Sequence, residues 1–122
     1  MNEVKARYRG RPEYLLVYAA LIEAAKERDF ITYSWVAQTM GLPPRGNYMS
    51  REVGQLLGEI TQEEHDKGRP MLSALARNAT GGIGPGFFAL ARDLGRMQAD
   101  DDKAAFLAAE TEAVYSAWSP EQ

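Results

Sequence analysis

The sequence predicts an α+β domain, a winged helix-turn-helix with additional N- and C-terminal helices. Three observations point there. Two short helical patterns flank the turn Gly41-Leu42-Pro43-Pro44, the apolar period changes from helical to alternating after Gly68, and glycine-rich turns at 81–82 and 84–86 follow that alternation.

Each element has its own signal. Lys5, Arg7, Arg9 and Arg11 alternate with Ala6, Tyr8 and Gly10, which predicts an extended basic arm over residues 1–11, either solvated or tracking phosphates. Pro12 suits a first helical turn, and Leu15, Tyr18, Ala19, Ile22 and Ala25 predict the buried stripe of a helix ending near Arg28. Thr32 or Ser34 caps a second helix through Met40, with Val36, Ala37 and Met40 inward and Gly41 as its left-handed stop. Ser50 caps a third, whose stripe is Val53, Leu56, Leu57 and Ile60. Gly54 and Gly58, four apart, leave a groove suited to close helix packing.

Beyond Gly68, Met71, Ser73, Leu75 and Arg77 alternate with Leu72, Ala74 and Ala76, and Asn78-Ala79-Thr80-Gly81-Gly82 can reverse the chain. The expectation is a β-hairpin wing over residues 70–84. Phe87, Phe88, Leu90, Ala91 and Leu94 predict a helix stopped by Gly95. Asp100, Asp101 and Asp102 favour the start of a last helix, which runs to about Trp118 and buries Phe106, Leu107, Val114 and Trp118. Residues 12–118 thus form one domain, followed by a tail at 119–122.

Composition narrows the function. A chain of 122 residues can bury about two-thirds of its unfolded surface without staples. The absence of cysteine excludes disulfides, thiolate zinc sites and cysteine nucleophiles. With no signal-peptide core and no run of about 18 apolar residues, the expectation is a cytoplasmic protein without a membrane partner. Residues 1–51 carry eight Lys/Arg against five acids, net +3, and residues 52–122 carry six against twelve, net −6. Any face for nucleic acid must therefore draw on the first half, while the acidic second half suits a basic protein partner.

Thr32-Tyr33, Ser50-Arg51-Glu52-Val53-Gly54 and Arg69-Pro70-Met71-Leu72-Ser73 stand in the order of three motifs in another family. Over about half its length the chain resembles the C-terminal domain of the alkylguanine-DNA alkyltransferases. Those proteins carry Ser/Thr-Tyr, Ala-Arg-Ala-Val-Gly and Pro-Cys-His-Arg in that order. Met71 stands in place of the alkyl-accepting cysteine and Leu72 in place of its histidine, and a thioether cannot ionise into a nucleophile. What the resemblance implies is binding, with Tyr33 against a phosphate and Arg51 entering the base stack.

A helix-turn-helix places residues near the start of its second helix against base edges. Here these are Asn47, Tyr48, Ser50, Arg51 and Gln55, with Arg45 at the turn and Arg77 and Asn78 on the expected wing. Glu52, Glu59, Glu63 and Glu64 discourage DNA farther along. The glycines of residues 81–88 lack the Lys-Ser/Thr of a phosphate loop and are read as turn formers. His65, the single histidine, suggests no metal site, and Ser73 has no other histidine to activate it. The sequence therefore leads to a non-catalytic protein that binds double-stranded DNA, without cofactor or metal, as a small regulator or alkyltransferase-like accessory protein. The alternative is a protein-interaction module, such as a small inhibitor, immunity or phage-encoded factor.

Overall fold

A computed structural model describes residues 5–120. Residues 1–4 of the expected arm and 121–122 of the expected tail lie outside the described residues. The elements run α1 (Pro12–Glu27), β1 (Ile31–Thr32), α2 (Tyr33–Thr39), α3 (Asn47–Asp66), a 3₁₀ turn (Leu72–Leu75), β2 (Ala76–Arg77), α4 (Pro85–Asp93) and α5 (Lys103–Ala117).

The winged α+β architecture is overturned. Helix accounts for 61% of the chain and strand for 3%. The two strands pair in parallel, Ile31 with Ala76 and Thr32 with Arg77, so the hairpin expected over 70–84 does not form. Its physical cause is burial. Met71, Leu72, Ser73, Ala74, Leu75 and Ala76 are all buried, and a short run covered on every side carries no period that separates strand from helix. This segment is the plug of the molecule, packed against α1, α3 and α5.

Several local signals act as their chemistry dictates. Pro12 opens α1, and Thr32 Oγ1 accepts from the Trp35 N–H at 3.1 Å to cap α2. Gly41 ends that helix at φ +74°. Asp102 caps α5 by accepting from the Ala105 N–H at 2.8 Å. α3 starts earlier than predicted: it begins at Asn47 behind Gly46 (φ +108°), and Ser50 lies inside its first turn.

The stripe of α3, Val53, Leu56, Leu57 and Ile60, is buried as its spacing demands. That of α1 is rotated from the expected one. Tyr14, Val17, Leu21, Ala24 and Ala25 face inward, while Leu15 is 57% exposed. Apolar residues nearly encircle this helix, so period alone does not orient it; the tyrosines do. The Tyr14 hydroxyl donates to Glu63 at 2.7 Å and the Tyr18 hydroxyl to Glu64, locking α1 onto α3. In α5, Val114 is buried as expected, whereas Phe106, Leu107 and Trp118 are half-buried and Glu110, Thr111 and Tyr115 take the interior. None of the described helices is long and apolar enough to cross a membrane.

Candidate nucleic-acid interface

The turn between α2 and α3 decides what the start of α3 presents. Pro43 and Pro44 interrupt the helical backbone between α2 and α3, and Gly46 adopts a positive φ at the start of α3 without a side-chain cap. No acid occupies the first turn of α3. Its unsatisfied N–H groups and dipole thus face solvent beside Arg45, Asn47, Tyr48, Ser50 and Arg51, all exposed. The Arg51 guanidinium lies 5.7 Å from the Tyr48 ring centroid, and Tyr48 is 54% exposed.

Behind this surface opens a cleft of about 530 Å³ between α3 and the start of α4. Ser50, Arg51 and Gln55 form its lip, Gly54, Gly58 and Leu57 one wall, Pro85, Gly86 and Phe87 another, and Ser73 its end. Gly54 is not a packing notch: a Cβ built there meets nothing within 4 Å, so no close helix contact forms at this position, which is open space in the cleft. Tyr33 closes one side. Its hydroxyl accepts the Gly84 N–H at 2.8 Å, and burial pushes its pKa up against the opposing effects of Gly84 and Arg77.

The structure therefore brings Tyr33, Ser50, Arg51 and Gln55 to one cleft and leaves Arg45, Asn47 and Tyr48 on the helix start beside it. Arg77 and Asn78 do not line the cleft. Arg77 donates to the Ala74 carbonyl at 2.7 Å, the Gly81 carbonyl at 3.0 Å and Thr111 Oγ1 at 3.0 Å, and stacks 4.4 Å from the centre of the Phe30 ring. Asn78 Oδ1 accepts from the N–H groups of Thr80 and Gly82 at 3.0 and 2.8 Å, which folds the loop that the wing was expected to occupy. Met71 and Leu72 are fully buried and line no part of the cleft; the Met71 N–H donates to the Glu110 carboxylate at 2.8 Å.

Two features go beyond the sequence reading. The first is where the acids go. Glu52, Glu59, Glu64 and Glu110 are all buried, so much of the negative charge of the second half points inward. Arg69 answers Glu64, Arg96 answers Glu110 at 3.1 Å, and Arg96 also donates through Nε to His65 Nδ1 at 3.0 Å. Among the described residues no group of three or more His, Asp or Glu could hold a metal ion.

The second is the described part of the arm, residues 5–11, which is neither free nor extended. The N–H groups of Arg7, Tyr8 and Arg9 converge on the Glu59 carboxylate at 2.8, 2.9 and 2.9 Å, and the Tyr8 hydroxyl and Arg7 guanidinium reach Glu52. Hydrogen bonds to a charged acceptor contribute about 1.5–3 kcal/mol each, whereas the exposed Arg9–Glu63 and Arg11–Glu13 contacts at 3.7 and 3.9 Å contribute about 0–1 kcal/mol. The main-chain bonds to Glu59 and the Arg7–Glu52 pair, rather than the Arg9 and Arg11 contacts, hold the arm. Burial raises the Glu59 pKa, but the hydrogen bonds from Gln55 and from the three N–H groups outweigh it and leave the carboxyl below its ordinary value. Desolvation and the Glu52 contact together push the Tyr8 hydroxyl up to about 12. A signal for this docking was present, because Glu52, Glu59 and Glu63 fall on one line of α3 at seven- and four-residue steps.

No protein-family model, curated protein or solved structure matches the chain.

Proposed function

We propose that the protein is a non-catalytic DNA-binding domain that sets the start of α3 against a duplex, with the adjoining cleft open to an extrahelical base. One observation carries this reading. The exposed polar and cationic residues at an acid-free, uncapped helix start share their lip, through Ser50, Arg51 and Gln55, with a largely apolar cleft of about 530 Å³. A phosphate favours the first surface, and a flat heterocycle favours the second. The resemblance to the alkyltransferases supports the same assignment for Arg51. The reading does not draw on Arg77 or Asn78, whose polar atoms already hold the protein together.

Anisotropy with matched unmodified and alkylated duplexes tests it, followed by mass spectrometry of the protein. The expected result is salt-dependent binding, tighter to the alkylated duplex because a lesion lowers the cost of unstacking, with an unchanged protein mass. A covalent adduct would defeat the non-catalytic assignment. Absence of duplex binding at low salt would defeat the DNA assignment and favour the second reading, a protein-interaction module whose exposed Asp93, Asp100, Asp101, Asp102 and Glu112 engage a basic partner.

A further inference from the structure

We propose, resting on the DNA-binding reading above, that residues 5–11 form a second duplex-backbone contact, docked along α3 so that Arg7, Arg9 and Arg11 extend the cationic surface of the helix start. The docking rests largely on main-chain atoms of the arm. Three successive backbone N–H groups meet the Glu59 carboxylate, and Gln55 Nε2 holds the Lys5 carbonyl at 2.7 Å. On the arm's side these are main-chain atoms, to which Arg7 adds its pair with Glu52 at 3.0 Å.

The side chains are left turned to water. Those of Arg7, Arg9 and Arg11 are 54%, 42% and 61% exposed, in the range of Arg51 at 68%. The carboxylates on which the arm docks lie beneath it, Glu52 at 6% and Glu59 at 0% exposure, and the Glu63 and Glu13 side chains near Arg9 and Arg11 are less exposed, at 26% and 24%, than the 42% and 61% of those arginines. Each guanidinium carries five donors and uses only some of them here, which leaves donors for phosphate oxygens.

The arm is also continuous with the helix start. Arg7 and Arg51 both reach Glu52, at 3.0 and 3.7 Å, and Gln55 joins the lip of the cleft to Lys5. Glu52 is the point where the two cationic segments meet. Phosphate contacts of this kind position a protein on its duplex without reading sequence, so the arm contributes affinity and salt dependence rather than specificity.

The test measures affinity of the full-length chain for one duplex between roughly 50 and 200 mM salt, comparing wild type, R7A/R9A/R11A, R7K/R9K/R11K and R45A/R51A. The alanine triple variant is expected to weaken binding and to lower the salt slope by about 0.9 for each phosphate it no longer neutralises, and the lysine triple variant to restore the slope. Wild-type affinity and slope in the alanine triple variant, with R45A/R51A weakened, would overturn the arm contact while leaving the DNA reading standing. A lysine triple variant of wild-type thermal stability whose slope stays at the alanine value would also overturn it, since the restored positive charge would then neutralise no phosphate. Failure of the wild type to bind any duplex at low salt would overturn both.

Discussion

Arg69 grips the fully buried carboxylate of Glu64 through two parallel hydrogen bonds, Nε to Oε1 at 2.8 Å and Nη2 to Oε2 at 2.7 Å. Tyr18 donates to the same carboxylate, so this one group ties α1, α3 and the segment leading to the buried plug. Removing one partner of a buried pair leaves an uncompensated charge and costs about 3–5 kcal/mol. The Arg69 side chain is 36% exposed, so water reaches Glu64 in the mutant and Arg69→Ala should cost less, about 2–3 kcal/mol by urea denaturation. Arg69→Lys keeps the charge but loses the fork, and should fall between alanine and wild type. Equal stability of all three proteins would show that the pair contributes nothing.

Acid should weaken the anchoring of the arm. Glu59 sits below its ordinary carboxylate pKa of 4.5, as does Glu63, where the Tyr14 hydroxyl and Lys67 outweigh burial. A carboxyl depressed in the folded state stabilises above its unfolded pKa, and that contribution disappears as pH falls through the folded value. The urea midpoint should therefore drop as pH is lowered from about 6 to about 3. Glu59→Gln should start lower and drop less, and an acid limb identical to wild type would remove Glu59 from the anchor.

Neighbouring leucines on α3 should respond differently to truncation. Leu56 is fully enclosed, whereas Leu57 also borders the cleft. Leu56→Ala should leave a closed cavity costing about 3–5 kcal/mol, and Leu57→Ala, whose vacated space joins the cleft, about 2–3 kcal/mol. The reverse order in denaturant melts would place Leu57, not Leu56, at the centre of the core.

Gly54 separates stability from binding. Its Cβ position is open and its backbone helical, so Gly54→Ala should raise stability by about 0.5–1 kcal/mol while narrowing the cleft. Preference for an alkylated over an unmodified duplex should shrink in the same protein. Destabilisation on calorimetry would mean that something packs against Gly54 after all.

Local chemistry made much of this protein legible in one dimension. The Pro12 start, the Thr32 and Asp102 caps, the left-handed Gly41 and the 53–56–57–60 stripe depend on neighbours within a turn or two, and the sequence states those directly. The cleft lip at Ser50, Arg51 and Gln55 was nameable for the same reason, since all three lie at the start of one helix. Three decisions belonged to tertiary structure alone. The plug at 71–76 became a 3₁₀ turn and a parallel bridge because it is covered on all sides, which erases the period that would identify it. The face of α1 was chosen by Tyr14 and Tyr18 finding Glu63 and Glu64 on α3, partners 49 and 46 residues away. The basic first half meets the acidic second half where the arm docks on Glu52 and Glu59, while Glu64 and Glu110 find Arg69 and Arg96 within the second half. A sequence fixes which residues are charged, but packing fixes which of them meet, because the desolvation of a buried carboxylate must be met by a donor brought from elsewhere in the chain.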